Sequence, residues 1–301
     1  MERQGDNSFR ITLQGSGEKQ EFEAVKQEFL QEARTVSNFS AEPGVVQILD
    51  YFEENNTAYL VMEYLDGISL EQHFEQEGLM DAGELFAMVI PLMGTLDKIH
   101  RCGVIHRDIS PDNIMVMGNP GTDDGSVWRL KLIDFGSARD YMKAQSYTVE
   151  LKNGYAPPEQ YSEADAQGPW TDIYALCGTI YRGITGQNPL LSAARSFHDD
   201  LKMPSELGIS IDPGLERILK KGLNIQPKDR YQSMGQMLRE VKLRMASGKK
   251  TRGGGKKFLA ACAMFGAAVL IGLTGYRYKQ AHRVELFFGY EKTETILLTS
   301  D

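Results

Sequence analysis

The sequence predicts an α+β fold, with a small strand-bearing part near the N-terminus and a larger, mostly helical part behind it. Two β-rich runs carry the first half of that expectation. Val45-Val46-Gln47-Ile48-Leu49-Asp50-Tyr51 and Thr57-Ala58-Tyr59-Leu60-Val61-Met62 flank the turn Glu54-Asn55-Asn56, whose asparagines tolerate turn dihedrals. Helical periodicity carries the second half. Leu85, Met88, Val89, Leu92, Leu96 and Ile99 mark a long buried helix ending at Cys102-Gly103, after a short helix that begins over Leu70 to Phe74. A further pair of apolar strands, Ile114-Met115-Val116 and Leu130-Lys131-Leu132-Ile133, is joined by a Gly-, Asp- and Pro-rich loop over 118–125.

Before the first strands, residues 1–20 are polar, with Phe9 to Leu13 the one strand-like alternation, and read as a loop or frayed edge. Phe22, Val25, Phe29, Leu30, Ala33 and Val36 then recur at helical spacing and predict an amphipathic helix over 21–37. Further helices are expected over 173–185, around 215–222 and over 233–244.

Composition narrows the class. With 301 residues, 42% hydrophobic and 25% charged, the chain is globular and long enough for one two-lobed domain plus appendages. The net charge of −8 argues against a nucleic-acid partner. Cys102, Cys177 and Cys262 have neither paired spacing nor a zinc-site pattern, so reduced thiols are expected. Met1 to Arg10 contains no apolar run, which excludes a cleavable signal peptide from that segment.

The chemistry concentrates in His106-Arg107-Asp108-Ile109-Ser110-Pro111-Asp112-Asn113, followed by Asp134-Phe135-Gly136 and Ala156-Pro157-Pro158-Glu159. Phosphoryl transfer needs a carboxylate to orient and deprotonate a hydroxyl, plus an Asn and a second Asp to hold the Mg²⁺ that neutralises a triphosphate. Asp108, Asn113 and Asp134 meet those needs in order, with strands between them. On these motifs, and on Gly154-Tyr155-Ala156-Pro157-Pro158-Glu159-Gln160-Tyr161, the chain resembles the eukaryotic-type Ser/Thr protein kinases, in particular their bacterial membrane-anchored branch, over residues 20–246.

That resemblance implies a two-lobed kinase-like domain over 1–246, with a small-lobe remnant over 1–63 and a large lobe over 67–246. Asp108 is then the catalytic base, and Asn113 and Asp134 hold Mg²⁺, or Mn²⁺ in its place. Glu32 takes the place of the ion-pairing glutamate of the small-lobe helix. Met62 sits at the back of the adenine pocket, Glu63 to Leu65 form the hinge, and Met115 packs beneath the adenine. An apolar residue at 62 or 115 suits a plain core strand equally well. Residues 137–155 become the activation segment, with hydroxyls at Ser137, Tyr141, Ser146, Tyr147 and Thr148, and Arg107 becomes a receiver for a phosphate there. Glu159 and Arg230 match a structural ion pair, and Asp172 matches an aspartate that bonds back to the catalytic loop.

Three departures stand out. No glycine-rich loop followed by a lysine strand is present: Gly15-Ser16-Gly17 with Lys26 imitates one, but Gln20 replaces the third glycine and helical periodicity already claims Lys26. The chain as written is therefore expected to begin just after the third small-lobe strand. Ser110 stands where the family usually carries a lysine, and Lys152 where it usually carries a threonine, so a cation has either moved between neighbouring loops or been lost.

Beyond the domain, 247–257 reads as a basic, Gly-rich linker, and 258–276 contains nineteen residues without a charge, the length of a membrane span. A buried core helix is the alternative reading. Lys249, Lys250, Arg252, Lys256 and Lys257 outnumber Arg277, Lys279 and Arg283 across it, which puts the kinase-like domain in the cytoplasm of a cell-membrane, single-pass protein, with 277–301 as an extracytoplasmic tail. The expected function is ATP-dependent phosphorylation of protein hydroxyls, with homodimerisation through autophosphorylation; the rival is a membrane-tethered pseudokinase that binds without turnover.

Overall fold

A computed structural model describes residues 2–3, 9–10, 16–118, 129–135, 139–140, 152–162, 165–251, 282–286 and 294–298. Two-residue strands β1 (Glu2–Arg3) and β2 (Phe9–Arg10) pair with each other. Helix α1 spans Ser16–Ser37, starting five residues before the expected 21 and taking in Ser16 and Gly17, so these two residues belong to a helix and not to a phosphate-cradling loop. Lys26 and Glu32 share that helix.

Strands β3 (Ile48–Glu54) and β4 (Thr57–Glu63) form the expected hairpin. Its two-residue turn has Asn55 at φ 54° and Asn56 at φ 60°, the left-handed pair whose twist matches flanking strands. β3 starts three residues later than the alternation suggested because 44–46 pair elsewhere. Val46 N donates to Leu132 O at 3.0 Å and Leu132 N donates to Gly44 O at 2.9 Å, tying the small lobe to the large one through buried Val45 and Val46.

The large lobe opens with β5 (Ile68–Ser69) and α2 (Leu70–Glu77), whose first turn is closed by a capping box between Ser69 and Gln72. Helix α3 (Ala82–Arg101) buries the periodic residues foreseen for it. Cys102 caps its C-terminus and is exposed, not sunk in apolar surroundings, whereas Cys177 is buried. Strand β6 (Val104–Ile105) leads into the loop at 106–110, and β7 (Ile114–Met117) and β8 (Arg129–Leu132) form the antiparallel pair that continues to β5. β9 (Arg139–Asp140) pairs with β6. Helices α4 (Pro169–Thr185), α5 (Ser192–Arg195), α6 (Pro213–Gly222) and α7 (Met234–Thr251) complete a helical layer around one apolar core drawn from α2, α3, α4, α6 and α7. α7 runs five residues into the stretch expected to be linker, through Ser247–Thr251.

The last two strands, β10 (His282–Leu286) and β11 (Glu294–Leu298), form a hairpin, and β10 lies antiparallel on the otherwise open edge of β4, from His282 opposite Glu63 to Leu286 opposite Tyr59. The small-lobe sheet thus has the order β11-β10-β4-β3. Nothing in the local pattern of 282–298 announced this pairing. Residues 258–276 lie outside the described residues, as does most of the 137–151 stretch with its candidate hydroxyls. Among the described residues, no helix is long and apolar enough to cross a membrane.

Candidate active site

The loop between β6 and β7 is shaped by one buried carboxylate. Asp172, in the first turn of α4 and fully buried, accepts from His106 N through Oδ2 and from Arg107 N through Oδ1, each at 2.8 Å. His100, on the last turn of α3, adds a 2.7 Å contact from Nε2 to Asp172 Oδ2. Burial pushes this carboxyl up, but the hydrogen bond and charge of His100, with the other groups around it, outweigh that and leave it below its ordinary value. The clamp helps hold Arg107 at φ 71°, a left-handed conformation that costs a non-glycine residue energy and persists only where the surroundings impose it.

Asp108 follows directly. Asn113, on the 3₁₀ turn Pro111–Asn113, donates through Nδ2 to Asp108 O at 2.9 Å and to Asp108 Oδ2 at 2.6 Å. Ile133 N donates to Asn113 O at 3.0 Å, which sets the end of β8, and with it Asp134, beside the loop. Asp134 is exposed and has φ 57°, a second left-handed residue at the same site. Next to it, Phe135 is buried against the His106 ring at 4.4 Å between centroids. Burial pushes the His106 imidazole down, against the nearby carboxylates. Asp108 is pushed up, chiefly by burial, while Lys152 and the Asn113 hydrogen bond pull it the other way.

Lys152 and Ser110, far apart in sequence, meet here. Lys152 Nζ lies 3.0 Å from Ser110 Oγ and 3.4 Å from Asp108 Oδ2. On the far side, Glu159 and Arg230 form a two-pronged ion pair at 2.7 and 3.0 Å, with side chains 2% and 0% exposed, and Thr171 Oγ1 adds a 3.0 Å bond to the carboxylate. Arg107 is largely buried and its Nε donates to Gln167 Oε1 at 2.8 Å, while Gln160 Nε2 donates to Arg107 O at 2.8 Å. The candidate hydroxyls whose phosphate Arg107 was expected to receive lie outside the described residues. Sequence reasoning passed over His100, Gln160 and Gln167. A histidine following Leu96 and Ile99 on an apolar helix face was the available signal for the first; two glutamines left none.

The residues expected around the nucleotide are arranged more loosely. Met62, Glu63, Leu65 and Met115 are all half-buried, Met62 and Glu63 on β4 and Met115 on β7. Glu63 receives Gln47 N at 2.7 Å and pairs with Lys131, which lies directly across the ladder from Met115. Its own N–H goes to Gln47 O at 2.9 Å. Glu32 is half-buried on α1. Lys26 is spent on Glu23 and Glu53, at 2.8 and 2.9 Å, which fixes α1 to β3 and takes the ammonium away from the catalytic loop.

For a metal, the described residues contain no group of three or more His, Cys, Asp or Glu that would cage an ion by itself. Asp134 and Asn113 instead offer one carboxylate and one amide oxygen, since Asn113 commits its Nδ2 to Asp108 and keeps Oδ1. That donor set fits Mg²⁺, which takes few protein ligands and fills its octahedron with phosphate and water oxygens.

Comparison with known proteins agrees with this geometry. A family model described as "Protein kinase domain" matches residues 12–241. Serine/threonine-protein kinase B of Synechocystis sp. is 30% identical over 228 residues, covering 72% of this chain and 38% of that protein. Serine/threonine-protein kinase PknB of Mycobacterium leprae is 30% identical over 239 residues, covering 73% and 36%. The chain thus spans little more than a third of the length of these relatives. Among solved structures, the Rad53 kinase domain with SCD2 aligns with a TM-score of 0.55 at 17% identity, covering 72% of this chain and 86% of that one. The same domain in complex with AMPPNP aligns at 0.52 with 19% identity, covering 66% and 74%. With the family model covering most of the domain and the two-lobed architecture matched in space, the chain belongs to the protein kinase family.

Proposed function

We propose that this chain is a Ser/Thr protein kinase, transferring the γ-phosphoryl group of ATP to hydroxyls of protein substrates. The observation that carries the reading is the Asp108 carboxylate, oriented by Asn113 Nδ2 at 2.6 Å on a loop that Asp172 holds from behind. Asp108 accepts the proton of the attacking hydroxyl. Asn113 and Asp134 would hold Mg²⁺, which when bound supplies charge neutralisation at the phosphates. Relatives named as Ser/Thr kinases, and the structural neighbour in complex with AMPPNP, support ATP as donor.

A second reading, a pseudokinase, is favoured by one specific observation: α1 takes up Ser16, Gly17 and Lys26, and Lys26 is committed to Glu23 and Glu53, so this segment supplies neither a phosphate lid nor a phosphate-gripping lysine. Autophosphorylation with labelled Mg·ATP separates the two. Incorporation that falls about 10²- to 10⁴-fold in Asp108→Asn, the usual worth of a positioned base, supports the kinase. No incorporation by the unmodified chain, with nucleotide still bound, supports the pseudokinase.

Anchoring rests on the uncharged 258–276 stretch and its basic N-terminal flank. A full crossing there and the β10–β4 pairing exclude each other, because crossing carries 282–286 to the opposite face of the bilayer. Protease added outside intact cells separates them: trimming beyond Tyr276 alone supports the crossing, and protection of 282–298 together with the domain supports the pairing.

A further inference from the structure

We propose that Lys152 is a catalytic residue of this protein, its ammonium delivered from the end of the activation segment to the γ-phosphoryl group beside Asp108. The inference rests on the kinase reading of the site and adds the residue that neutralises charge on the group in transfer. Ser110, fully buried on the catalytic loop, brings no charge of its own, and its hydroxyl lies 3.0 Å from Lys152 Nζ. The same ammonium is 3.4 Å from Asp108 Oδ2, and the Lys152 side chain is 33% exposed, so it is not sealed off from solvent. Among the described residues, the Arg107 side chain is buried with Nε on Gln167, and His106 is buried against Phe135.

Lys152 is also held in place independently of the segment before it. Tyr155 N and Ala156 N both return to Lys152 O, at 3.1 and 3.0 Å, making a tight turn. Gly154 sits in that turn at φ 88°, and a Cβ there would come within 2.6 Å of Pro189 O, so the turn is pressed against the loop after α4. Tyr155 Oη donates to Asn188 Oδ1 at 2.9 Å, and Ser192 Oγ donates to Ala156 O at 2.6 Å. A lysine on an anchored turn, facing the catalytic carboxylate, is a preorganised cation of the kind that stabilises developing charge.

In the step, the substrate hydroxyl oxygen bonds to the γ-phosphorus and its proton passes to Asp108. The bond between the γ-phosphorus and the β–γ bridging oxygen breaks, and its electron pair leaves with ADP. Lys152 neutralises the equatorial oxygens of the phosphoryl group between the two.

The test moves the charge back. Lys152→Thr is expected to lower kcat by about 10²- to 10³-fold, the cost of losing one preorganised donor, with a smaller change in KM for Mg·ATP. Lys152→Arg retains part of the activity. The double variant Ser110→Lys with Lys152→Thr, which restores a lysine on the catalytic loop, recovers activity over Lys152→Thr alone. Undiminished kcat in Lys152→Thr overturns the proposal, as does a folded double variant no better than the single one. If the unmodified chain transfers no phosphate, the kinase reading fails, and the lysine is tested by thermal shift with Mg·ATP against Mg·ADP. A preference for ATP that disappears in Lys152→Thr supports a γ-phosphate contact; a preference unchanged by the substitution overturns it.

Discussion

The two lobes solve the problem of placing charged groups in opposite ways. In the large lobe, a set of buried charges each meets named partners: Asp172 holds the backbone of His106 and Arg107, Glu159 holds Arg230 and Thr171, and Arg195 reaches Tyr174, Asp199 and Leu223 O. A buried charge with no partner costs several kcal/mol, so the Asp172 ties disfavour other arrangements of the loop that carries Asp108 and Asn113. In the small lobe, the links include part-exposed ion pairs such as Lys26 with Glu53, and Leu49 and Phe52 on β3 are 38% and 37% exposed. Its sheet is completed by a strand from the other end of the chain. Under the proposed function, reaction geometry is set by the large lobe and nucleotide grip depends on the weaker partner.

Breaking the large-lobe ties should produce the largest effect. Glu159→Ala strands Arg230, whose side chain is fully buried, and should cost about 3–5 kcal/mol in chemical denaturation. A loss within error of zero would mean that water reaches the guanidinium and that the lobe is less rigid than described.

The small-lobe edge should respond less. Val284→Pro puts a proline in the middle of β10, opposite Val61 on β4 and Ile296 on β11, where the lost N–H and the fixed φ disrupt the strand, and should loosen the β4 edge by about 1–3 kcal/mol. Hydrogen exchange reads it as faster exchange confined to 59–63. Unchanged exchange there would detach β10 from β4 and favour the crossing of 258–276.

Smaller still is the cap of α2. Ser69→Ala removes the oxygen that accepts Gln72 N and should cost about 1 kcal/mol, seen as a modest drop in melting temperature. Acid sensitivity gives the finest probe. Asp212 caps α6 and pairs with Arg244, which lowers its carboxyl from 3.8 to about 2. A depressed carboxylate stabilises the fold fully above 3.8 and loses that contribution as the pH falls through about 2. The melting-temperature gap between the unmodified chain and Asp212→Asn should accordingly be constant above pH 4 and close on acidification. A gap that persists at pH 2 would assign the effect to packing.

What the sequence revealed follows the same division. The loop 106–113, the Asp172 and Glu159–Arg230 contacts and the helix α3 were legible because fixed local spacing or apolar periodicity carries them. The start of α1 was misread because the polar residues 16–20 lack periodicity, yet helix geometry tolerates them. Val45 and Val46 looked like part of β3, since a β-rich run does not say which neighbour it pairs with; they turn to Leu132 instead. The β10–β4 pairing joins residues more than 200 apart, and strand register between such distant segments leaves no mark in either one. For Lys152, the sequence posed the question of a relocated cation, and only the meeting with Ser110 and Asp108 in space gave it a location.

The division itself is tested most directly by steady-state phosphotransfer with Mg·ATP on Asp108→Asn and Val284→Pro, with nucleotide affinity measured in parallel. Asp108→Asn should lose about 10²- to 10⁴-fold in kcat while binding nucleotide nearly as well as the unmodified chain, because the carboxylate acts on the hydroxyl and not on the triphosphate. Val284→Pro should weaken nucleotide binding and leave kcat at saturating Mg·ATP nearly unchanged. Full kcat in Asp108→Asn, or a loss confined to kcat in Val284→Pro, would contradict the assignment of reaction geometry to the large lobe.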